Sequence, residues 1–188
     1  MVAEVQASTQ SGELEFNIQP RPIEDADTVL RIDAVVTVPS NIPLYLSTDT
    51  GEIEVKKLSN PAIAANSKSG DLRLTASSIM HANTGRGRIR ATIMRPGWSG
   101  ESEFSTESGQ IQAFFPLSKN LSIDAQAVEI KSEFKLGIQH LDGVSRAQFT
   151  AGDGTDKIKV KSQQGKVELY SLVFDPRVYG TPSITENN

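Results

Sequence analysis

Hydrophobic and polar residues alternate with a period of two along most of this chain. Short segments, such as residues 44–46, 53–55 and 167–169, place apolar side chains on one face and polar side chains on the other. Such alternation is typical of β-strands with one buried and one solvated face. No long segment shows the i, i+3, i+4, i+7 apolar spacing of an amphipathic helix. The pattern therefore predicts an all-β protein.

A frame centred on glycine repeats along the chain. Around Gly51, apolar residues stand seven and five positions before the glycine, hydroxyl residues three positions and one position before it, and apolar residues two and four positions after it. The frame recurs, wholly or in part, around these glycines: Gly12, Gly51, Gly70, Gly87, Gly109 and Gly165. The steps from Gly51 to Gly109 are 19, 17 and 22 residues long.

Repeats of this length predict a stacked architecture. A unit of about twenty residues cannot bury its own apolar face, but stacked units cover one another with a continuous core. The repeat therefore predicts a β-solenoid, a single-stranded β-helix-like coil with rungs of roughly 17–22 residues. An antiparallel β-sandwich also has short alternating strands and stays the alternative. It gives no reason, however, for the fixed hydroxyl offset before each glycine.

The glycines are expected to form corners between successive strands. Glycine takes positive φ without steric penalty, so replacing Gly51 or Gly165 by valine is expected to destabilise the fold. The hydroxyls three residues before the glycines are expected to form a ladder beside the corners: Thr48, Ser67, Thr84, Thr106 and Ser162. The 56 residues between Gly109 and Gly165 leave room for three further steps, with irregular rungs near residues 128–130 and near Gly143.

Composition and charge argue against several classes of function. The 188 residues include 19 Lys and Arg against 23 Asp and Glu, a formal net charge of −4, which argues against binding to nucleic-acid phosphates. The chain has no cysteine and two histidines, which argues against disulfides, thiolate catalysis, iron–sulfur clusters and zinc sites. No apolar run approaches the roughly 18 residues of a membrane helix, so no transmembrane segment is predicted. We therefore expect no cofactor.

The domain organisation is expected to be simple. The repeat predicts a single solenoid domain over residues 1–180, with capping strands near the N-terminus and a disordered tail over residues 181–188. The first residues show no basic cap followed by an apolar stretch, so a secretion signal is not predicted within this chain.

An arginine-rich segment is the main candidate for ligand binding. Arg86, Arg88 and Arg90 occupy alternate positions, which predicts that all three point outward on one strand. Arg95 and Trp98 follow in the next loop. Guanidinium groups bind carboxylates through paired hydrogen bonds, and an indole can face a sugar ring. These five side chains can therefore form a platform for an anionic glycan.

Ion pairing between rungs is the competing interpretation of the same segment. The frame places Asp71 beside Arg88 and Glu54 beside Arg73. Opposite charges on neighbouring strands stabilise a sheet, so such pairs would neutralise part of the arginine stripe. Of the two interpretations, ion pairing is favoured.

Other motifs give weak support for metal binding or catalysis. Residues 152–158 match most of one calcium-binding nonapeptide, which makes Asp153 and Asp156 weak metal candidates. Calcium in such folds binds between tandem copies, and because only one copy is present, no metal site is predicted. His81 and His140 allow a Ser-His-Asp triad on paper, but no nucleophile elbow accompanies them. We therefore predict a protein without enzymatic activity.

Parts of the chain resemble a known bacterial family. Residues 35–39, 44–55 and 152–169 are similar to the repeated T-x-S-G-x-I-x-V units of a family of presumed bacterial adhesins, related to the head GIN domain of autotransporter adhesins. The resemblance covers roughly residues 5–172 and is weakest over residues 112–150. It implies a right-handed β-solenoid outside the cytoplasm, in the periplasm, at the cell surface or secreted, with adhesion as its role. It supplies no catalytic residues.

Together these observations predict a non-enzymatic, extracytoplasmic binding or scaffolding domain with an adhesin-like role. Its partner is expected to be a cell-surface polysaccharide or a protein. Two alternatives stay open. One is a small polysaccharide-acting β-helix enzyme, and the other is a self-assembling structural protein whose exposed solenoid ends pair with another chain.

Overall fold

The computed structural model describes residues 33–172 with their side chains, together with the backbone of two strands nearer the N-terminus. Strands β1 (Ala3–Gln10) and β2 (Glu13–Pro20) pair antiparallel, with Gln10 opposite Glu13. The frame around Gly12 therefore spans a hairpin, instead of leading from one large sheet to another as the repeat predicts. Gly12 itself and the tail predicted over residues 181–188 lie outside the described residues.

The chain divides into two compact units, residues 1–38 and residues 39–188. The second unit contains an eight-stranded and a six-stranded sheet, and its described residues form no helix. Its strands are β3 (Leu44–Thr48), β4 (Ile53–Leu58), β5 (Ala62–Ser67), β6 (Leu72–Ala76), β7 (Ile79–Arg86), β8 (Ile89–Ile93), β9 (Gly100–Ser108), β10 (Ile111–Pro116), β11 (Leu121–Ala127), β12 (Glu129–Ser132), β13 (Ile138–Leu141), β14 (Val144–Thr150), β15 (Asp156–Ser162) and β16 (Lys166–Leu172).

From β3 to β12 the strands alternate between the two sheets, so that a pair such as β5 and β6 makes one rung of a coil. In spatial order the eight-stranded sheet is β13-β14-β11-β15-β9-β7-β5-β3, and the six-stranded sheet is β12-β16-β10-β8-β6-β4. Among the described pairings within these sheets, β11–β14 and β13–β14 are antiparallel and the others are parallel. The all-β, solenoid-like architecture is thus confirmed, and the antiparallel sandwich is not adopted.

The order of the rungs in space differs from their order in the chain. Strand β15 pairs parallel with both β9 and β11, and β16 pairs parallel with both β10 and β12. The last described rung of the chain is therefore inserted between two earlier ones. The expectation of three stacked steps between Gly109 and Gly165 is wrong, because β11 and β12 lie beyond the inserted rung instead of before it.

Gly143 does not anchor a rung. It lies between β13 and β14, which pair antiparallel with Leu141 opposite Val144. Asp142 and Gly143 have φ values of 50° and 76°, as the central residues of a tight hairpin turn require. The irregular rung predicted near this glycine is thus a β-hairpin at one end of the eight-stranded sheet.

The core lies between the two sheets and is filled by the inward residues of each strand. Along β6, for example, Leu72, Leu74 and Ala76 are buried, while Arg73 is exposed. Most inward residues are apolar, and the largest include Phe104, Phe115, Ile63, Met80, Ile111 and Ile158. The period-two alternation in the sequence therefore corresponds to burial against the opposite sheet.

Five of the six frame glycines stack in one column at the same corner of successive rungs. A Cβ atom added to Gly70 would lie 1.9 Å from the carbonyl oxygen of Gly51, and one added to Gly165 would lie 1.9 Å from that of Gly109. Gly87 and Gly109 approach the preceding glycine of the column in the same way, at 2.3 and 2.0 Å. None of the five has a positive φ. The close approach therefore requires glycine at the four positions after Gly51, and the predicted need for positive φ is wrong.

The hydroxyls of the predicted ladder bond to the glycine column. Thr84 Oγ1 donates to the carbonyl oxygen of Gly70 at 3.0 Å, and Ser162 Oγ donates to that of Gly109 at 2.8 Å. Thr106 Oγ1 does the same to Gly87 at 3.3 Å. Each of these bonds joins one rung to the rung before it in space. Thr48 and Ser67 instead accept from the N–H of the glycine three residues later in their own rung. The hydroxyl offset in the sequence thus reflects bonds to the glycine column, some within a rung and some between rungs.

Candidate ligand-binding groove

The outer face of the six-stranded sheet carries a row of aligned polar side chains. Arg73 on β6, Arg90 on β8, Gln112 on β10 and Glu168 on β16 occupy equivalent positions in the parallel register. Each follows an inward apolar residue, so strand alternation turns all four away from the core. Neighbouring strands lie about 4.8 Å apart, which sets the spacing along the row.

A shallow groove of about 450 Å³ runs across this face. It is lined by Asp71, Leu72, Arg73, Arg88, Ile89, Arg90, Gln110 and Gln112. The volume lies within the range of known small-molecule sites, about 300–1,000 Å³, and the lining is dominated by side chains that can bind polar or charged groups.

Glu168 is the centre of a hydrogen-bond cluster beside the groove. Its Oε2 atom accepts from Nε2 of Gln110 and from Nε2 of Gln112, both at 2.7 Å, and from the Tyr170 hydroxyl at 2.9 Å. Lys166 forms an ion pair with its Oε1 atom. The Gln112 amide and then Lys166 contribute most to lowering the pKa of Glu168 from 4.5 to about 2, against the opposing effect of burial. Glu168 therefore stays charged and bonded at neutral pH.

Two of the groove's arginines are paired with carboxylates. Arg88 donates to Asp71 Oδ2 from Nε at 3.0 Å and from Nη2 at 2.8 Å, and its backbone N–H donates to Oδ1 at 2.8 Å. Although burial raises the pKa of Asp71, these hydrogen bonds outweigh it and lower that pKa below its ordinary value. Arg73 Nε lies 3.0 Å from Glu52 Oε1. Glu54, which the frame puts beside Arg73, has its salt bridge with Lys56 instead.

Arg90 differs from these two arginines because its guanidinium lies over an aromatic ring. Its Cζ atom is 4.7 Å from the centroid of the Phe114 ring. Phe114 in turn stacks on Tyr170, with centroids 4.6 Å apart and planes 10° from parallel. A cation over an aromatic face is held by the quadrupole of the ring, which leaves the in-plane N–H groups free to donate to a ligand.

The five residues of the predicted arginine platform do not share one face. Arg86 ends β7 in the eight-stranded sheet, whereas Arg90 belongs to β8 in the six-stranded sheet, so the prediction that Arg86, Arg88 and Arg90 lie on one strand is wrong. The reason is the corner at Gly87, which separates the two strands. The structure brings Arg88 and Arg90 to the groove and leaves Arg86 outside its lining.

The loop that carries Arg95 and Trp98 is tied to the inserted rung. Buried Asp156 accepts from the backbone N–H of Gly97 and from that of Ser99, each at 2.9 Å. The Trp98 indole packs against the core, and its Nε1–H donates to the Gly100 carbonyl at 3.1 Å. Neither Arg95 nor Trp98 lines the groove. Trp98 is therefore a structural residue in this arrangement.

The weak metal candidates have other hydrogen-bond partners. Asp153 Oδ1 accepts from the backbone N–H of Thr155 at 3.1 Å and from its hydroxyl at 3.0 Å, as in a tight turn. Asp156 holds the loop of residues 97–99, as described above. Among the described residues, no group of three or more His, Cys, Asp or Glu side chains is arranged to hold a metal ion.

The histidines take no part in the groove. His140 Nδ1 lies 2.9 Å from Ser145 Oγ, and that hydroxyl donates to the Val128 carbonyl at 2.8 Å. Ser145 is buried and its proton is engaged, so this pair has no free nucleophile. His81 is exposed on β7, opposite Glu103 on β9.

Several residues in and beside the groove were missed by sequence reasoning. Gln110, Gln112, Glu168 and Tyr170 gave no motif, because Glu168 lies 58 positions from Gln110 in the chain and reaches it only through the inserted rung. The one usable signal was the shared frame around Gly109 and Gly165, which aligns Gln112 with Glu168 once the two rungs are known to be neighbours.

The fold and the groove define a class of protein: a β-solenoid-like domain with two parallel-rich sheets and a polar groove on the outer face of one of them. The chain belongs to the Toastrack DUF4097 family, whose model matches residues 2–170. No curated protein and no solved structure matches the chain. Within the described residues, no helix has the length and apolar character needed to cross a membrane.

Proposed function

We propose that this chain is a non-enzymatic, extracytoplasmic binding domain that holds a cell-surface polysaccharide in the groove. The observation that carries the proposal is the row of Arg73, Arg90 and Gln112, aligned on three neighbouring strands of one sheet. Such a row presents polar groups at the regular spacing of the strands, which suits an extended polymer better than a compact ligand. This role is adhesin-like, as the resemblance implies.

The lowered pKa values of the carboxyl groups in and beside the groove favour binding over catalysis. A glycoside hydrolase needs one carboxyl group with a raised pKa as general acid and a second carboxylate as base or nucleophile. Glu168 has a pKa of about 2 and is surrounded by donors, and Asp71 is held by Arg88 with a lowered pKa. Neither carboxyl is set up to donate a proton to a glycosidic oxygen at neutral pH.

A polysaccharide array tests the proposal. Wild-type protein and the variants Arg90→Gln and Arg86→Gln would be applied to bacterial and host polysaccharides, and the supernatant would be analysed for released fragments. We expect binding without fragments, lost in Arg90→Gln and retained in Arg86→Gln, because Arg86 lies on the other sheet. Released fragments would support the enzyme alternative. Binding retained in both variants would place the ligand elsewhere, and equal loss in both would indicate a general attraction between charges. Fractionation of cells that express the full-length native protein tests the localisation.

Pairing of two copies through the β3–β4 end is the second candidate function. The supporting observation is that β3 and β4 are the edge strands of the two large sheets, with Leu44, Leu46 and Ile53 only half-buried among the described residues. Exposed sheet edges can pair with the edge of another chain. Light scattering over a range of concentrations would show a rising mass, reduced by Tyr45→Lys on the edge strand. A constant monomer mass contradicts this candidate.

A further inference from the structure

Arg90 is the groove's charged group that lacks an opposite charge. Arg88 and Arg73 each bind a carboxylate, Asp71 and Glu52 respectively. In the part of the chain that the structure describes, Arg90 has no carboxylate partner, and its guanidinium lies over the Phe114 ring. Its exposed, in-plane donors therefore suit an anionic group of a ligand, and a carboxylate matches the guanidinium fork in shape.

The two glutamines of the groove are held in one orientation by Glu168. A carboxylate only accepts hydrogen bonds, so each glutamine must turn its Nε2 group toward Glu168 Oε2. The Oε1 atoms of Gln110 and Gln112 consequently point away from Glu168, and within the described residues no donor bonds to them. The groove thus presents two oriented acceptors near Arg90, one from Gln112 on the neighbouring strand β10 and one from Gln110 just before that strand.

We propose that the groove binds a uronate residue of an acidic polysaccharide, with the sugar carboxylate on Arg90 and sugar hydroxyls donating to Oε1 of Gln110 and Gln112. A uronate combines one carboxylate with several hydroxyl donors on a single ring, and a ring can bridge strands about 4.8 Å apart. Glu168 acts as a positioning residue that fixes the amide orientation. This inference rests on the proposed function and narrows its ligand class.

Calorimetric titration with defined oligosaccharides tests the inference. The probes are trigalacturonic acid, the neutral trisaccharide maltotriose and a tri-glutamate peptide, at low ionic strength. We expect wild-type protein to bind trigalacturonic acid best and Arg90→Gln to weaken that binding about tenfold or more, the typical effect of losing a charge-assisted pair. Arg86→Gln and Arg146→Gln, both exposed arginines of the eight-stranded sheet, are matched controls expected to bind as wild type does.

The role of Glu168 is tested by selectivity instead of by affinity alone. In Glu168→Gln the neighbouring amides are free to turn over, so the preference for trigalacturonic acid over maltotriose is expected to fall. Glu168→Asp keeps the charge and is expected to restore part of that preference. Circular dichroism and thermal melting establish that each variant is folded. A folded Glu168→Gln variant with unchanged selectivity would remove the positioning role.

The outcomes separate this inference from the proposed function. If maltotriose binds as well as trigalacturonic acid and Arg90→Gln has no effect, the uronate inference fails while polysaccharide binding stands. Preferential binding of tri-glutamate overturns the uronate inference and points to an acidic peptide. If neither these probes nor any polysaccharide of the array binds, the proposed function fails as well.

Discussion

The two ends of the solenoid unit are built differently. At one end β3 and β4 close the sheets, Leu44, Leu46 and Ile53 are half-buried, and Gly51 is the first glycine of the column. At the other end β12 is followed by Phe134 and Leu136, which pack against the core. The antiparallel hairpin β13–β14 continues the eight-stranded sheet beyond β11 at this second end.

This difference shows that the steric restriction on a corner residue comes from the neighbouring rung. Around Gly51, the three atoms nearest an added Cβ all belong to Thr48, whereas at Gly70 the nearest is the Gly51 carbonyl oxygen. The two glycines occupy the same place in the frame, yet only the second must be glycine for steric reasons. The comparison can be tested by making the same substitution at equivalent positions of the two regions.

The largest difference in the free energy of unfolding is expected between Gly165→Ala and Gly51→Ala. A Cβ on Gly165 would meet the Gly109 carbonyl oxygen at 1.9 Å, so the rungs must separate, at a cost of about 3 kcal/mol or more in the free energy of unfolding. A Cβ on Gly51 lies 3.1 Å from Thr48 Oγ1, and we expect a change of about 1 kcal/mol or less. Urea unfolding measures both variants.

The result for Gly51→Ala also reports on the β3–β4 end in solution. A loss as large as that of Gly165→Ala would mean that another segment or another copy stacks on Gly51, and the two corners would then be under the same steric restriction. Sequence reasoning expects Gly51→Val and Gly165→Val to destabilise the fold alike. The structure predicts a smaller loss of stability for Gly51→Val, because the atoms nearest an added Cβ there belong to the Thr48 side chain.

The second largest difference is expected between Phe134→Ala and Leu46→Ala. Phe134 meets Phe115 edge to face, with ring centroids 5.7 Å apart, so its removal leaves a cavity at the core. We expect a loss of about 2–3 kcal/mol for this half-buried ring and about 1 kcal/mol for Leu46. Thermal melting of the two variants gives the comparison. Equal losses would show that the β3–β4 end is as well covered as the other.

A smaller difference in the free energy of unfolding is expected between substitutions of two residues of the hydroxyl ladder. Thr84 is buried and its hydroxyl donates to the Gly70 carbonyl, so Thr84→Val leaves a buried acceptor unpaired and is expected to cost about 1–2 kcal/mol. Thr48 Oγ1 only accepts from the Gly51 N–H in the described structure, and Thr48→Val should cost a few tenths of a kcal/mol. Thr84→Ser, which keeps the hydroxyl, serves as the control in the same unfolding experiment. A loss in Thr84→Ser equal to that in Thr84→Val would assign the effect to packing.

How much of this arrangement the sequence predicts depends on the range of the contacts. Alternation identified the strands, and the frame around Gly51 and Gly70 identified successive rungs, because those rungs are neighbours in both chain and space. The insertion of β15 and β16 was not predictable, because the frame of Gly165 fits any neighbouring rung equally well. The cluster around Glu168 was missed for the same reason, whereas the Asp71–Arg88 pair joins consecutive rungs and was foreseen.

The smallest effect, and the one that depends on pH, concerns the carboxylates in the second rung from each end. Asp71 lies before β6, and its pair with Arg88 is partly exposed, so Asp71→Asn should cost less than about 1 kcal/mol at pH 7. Because the pKa of Asp71 is lowered from 3.8, its contribution is complete above that value and is lost as the pH falls through the lowered one. Glu168 on β16 has its pKa lowered from 4.5 to about 2, so its contribution declines over that wider window. The free energy of unfolding, measured from pH 7 to pH 2, should therefore fall less steeply with decreasing pH in Glu168→Gln than in Asp71→Asn. The reverse order would contradict the tighter hydrogen bonding assigned to Glu168.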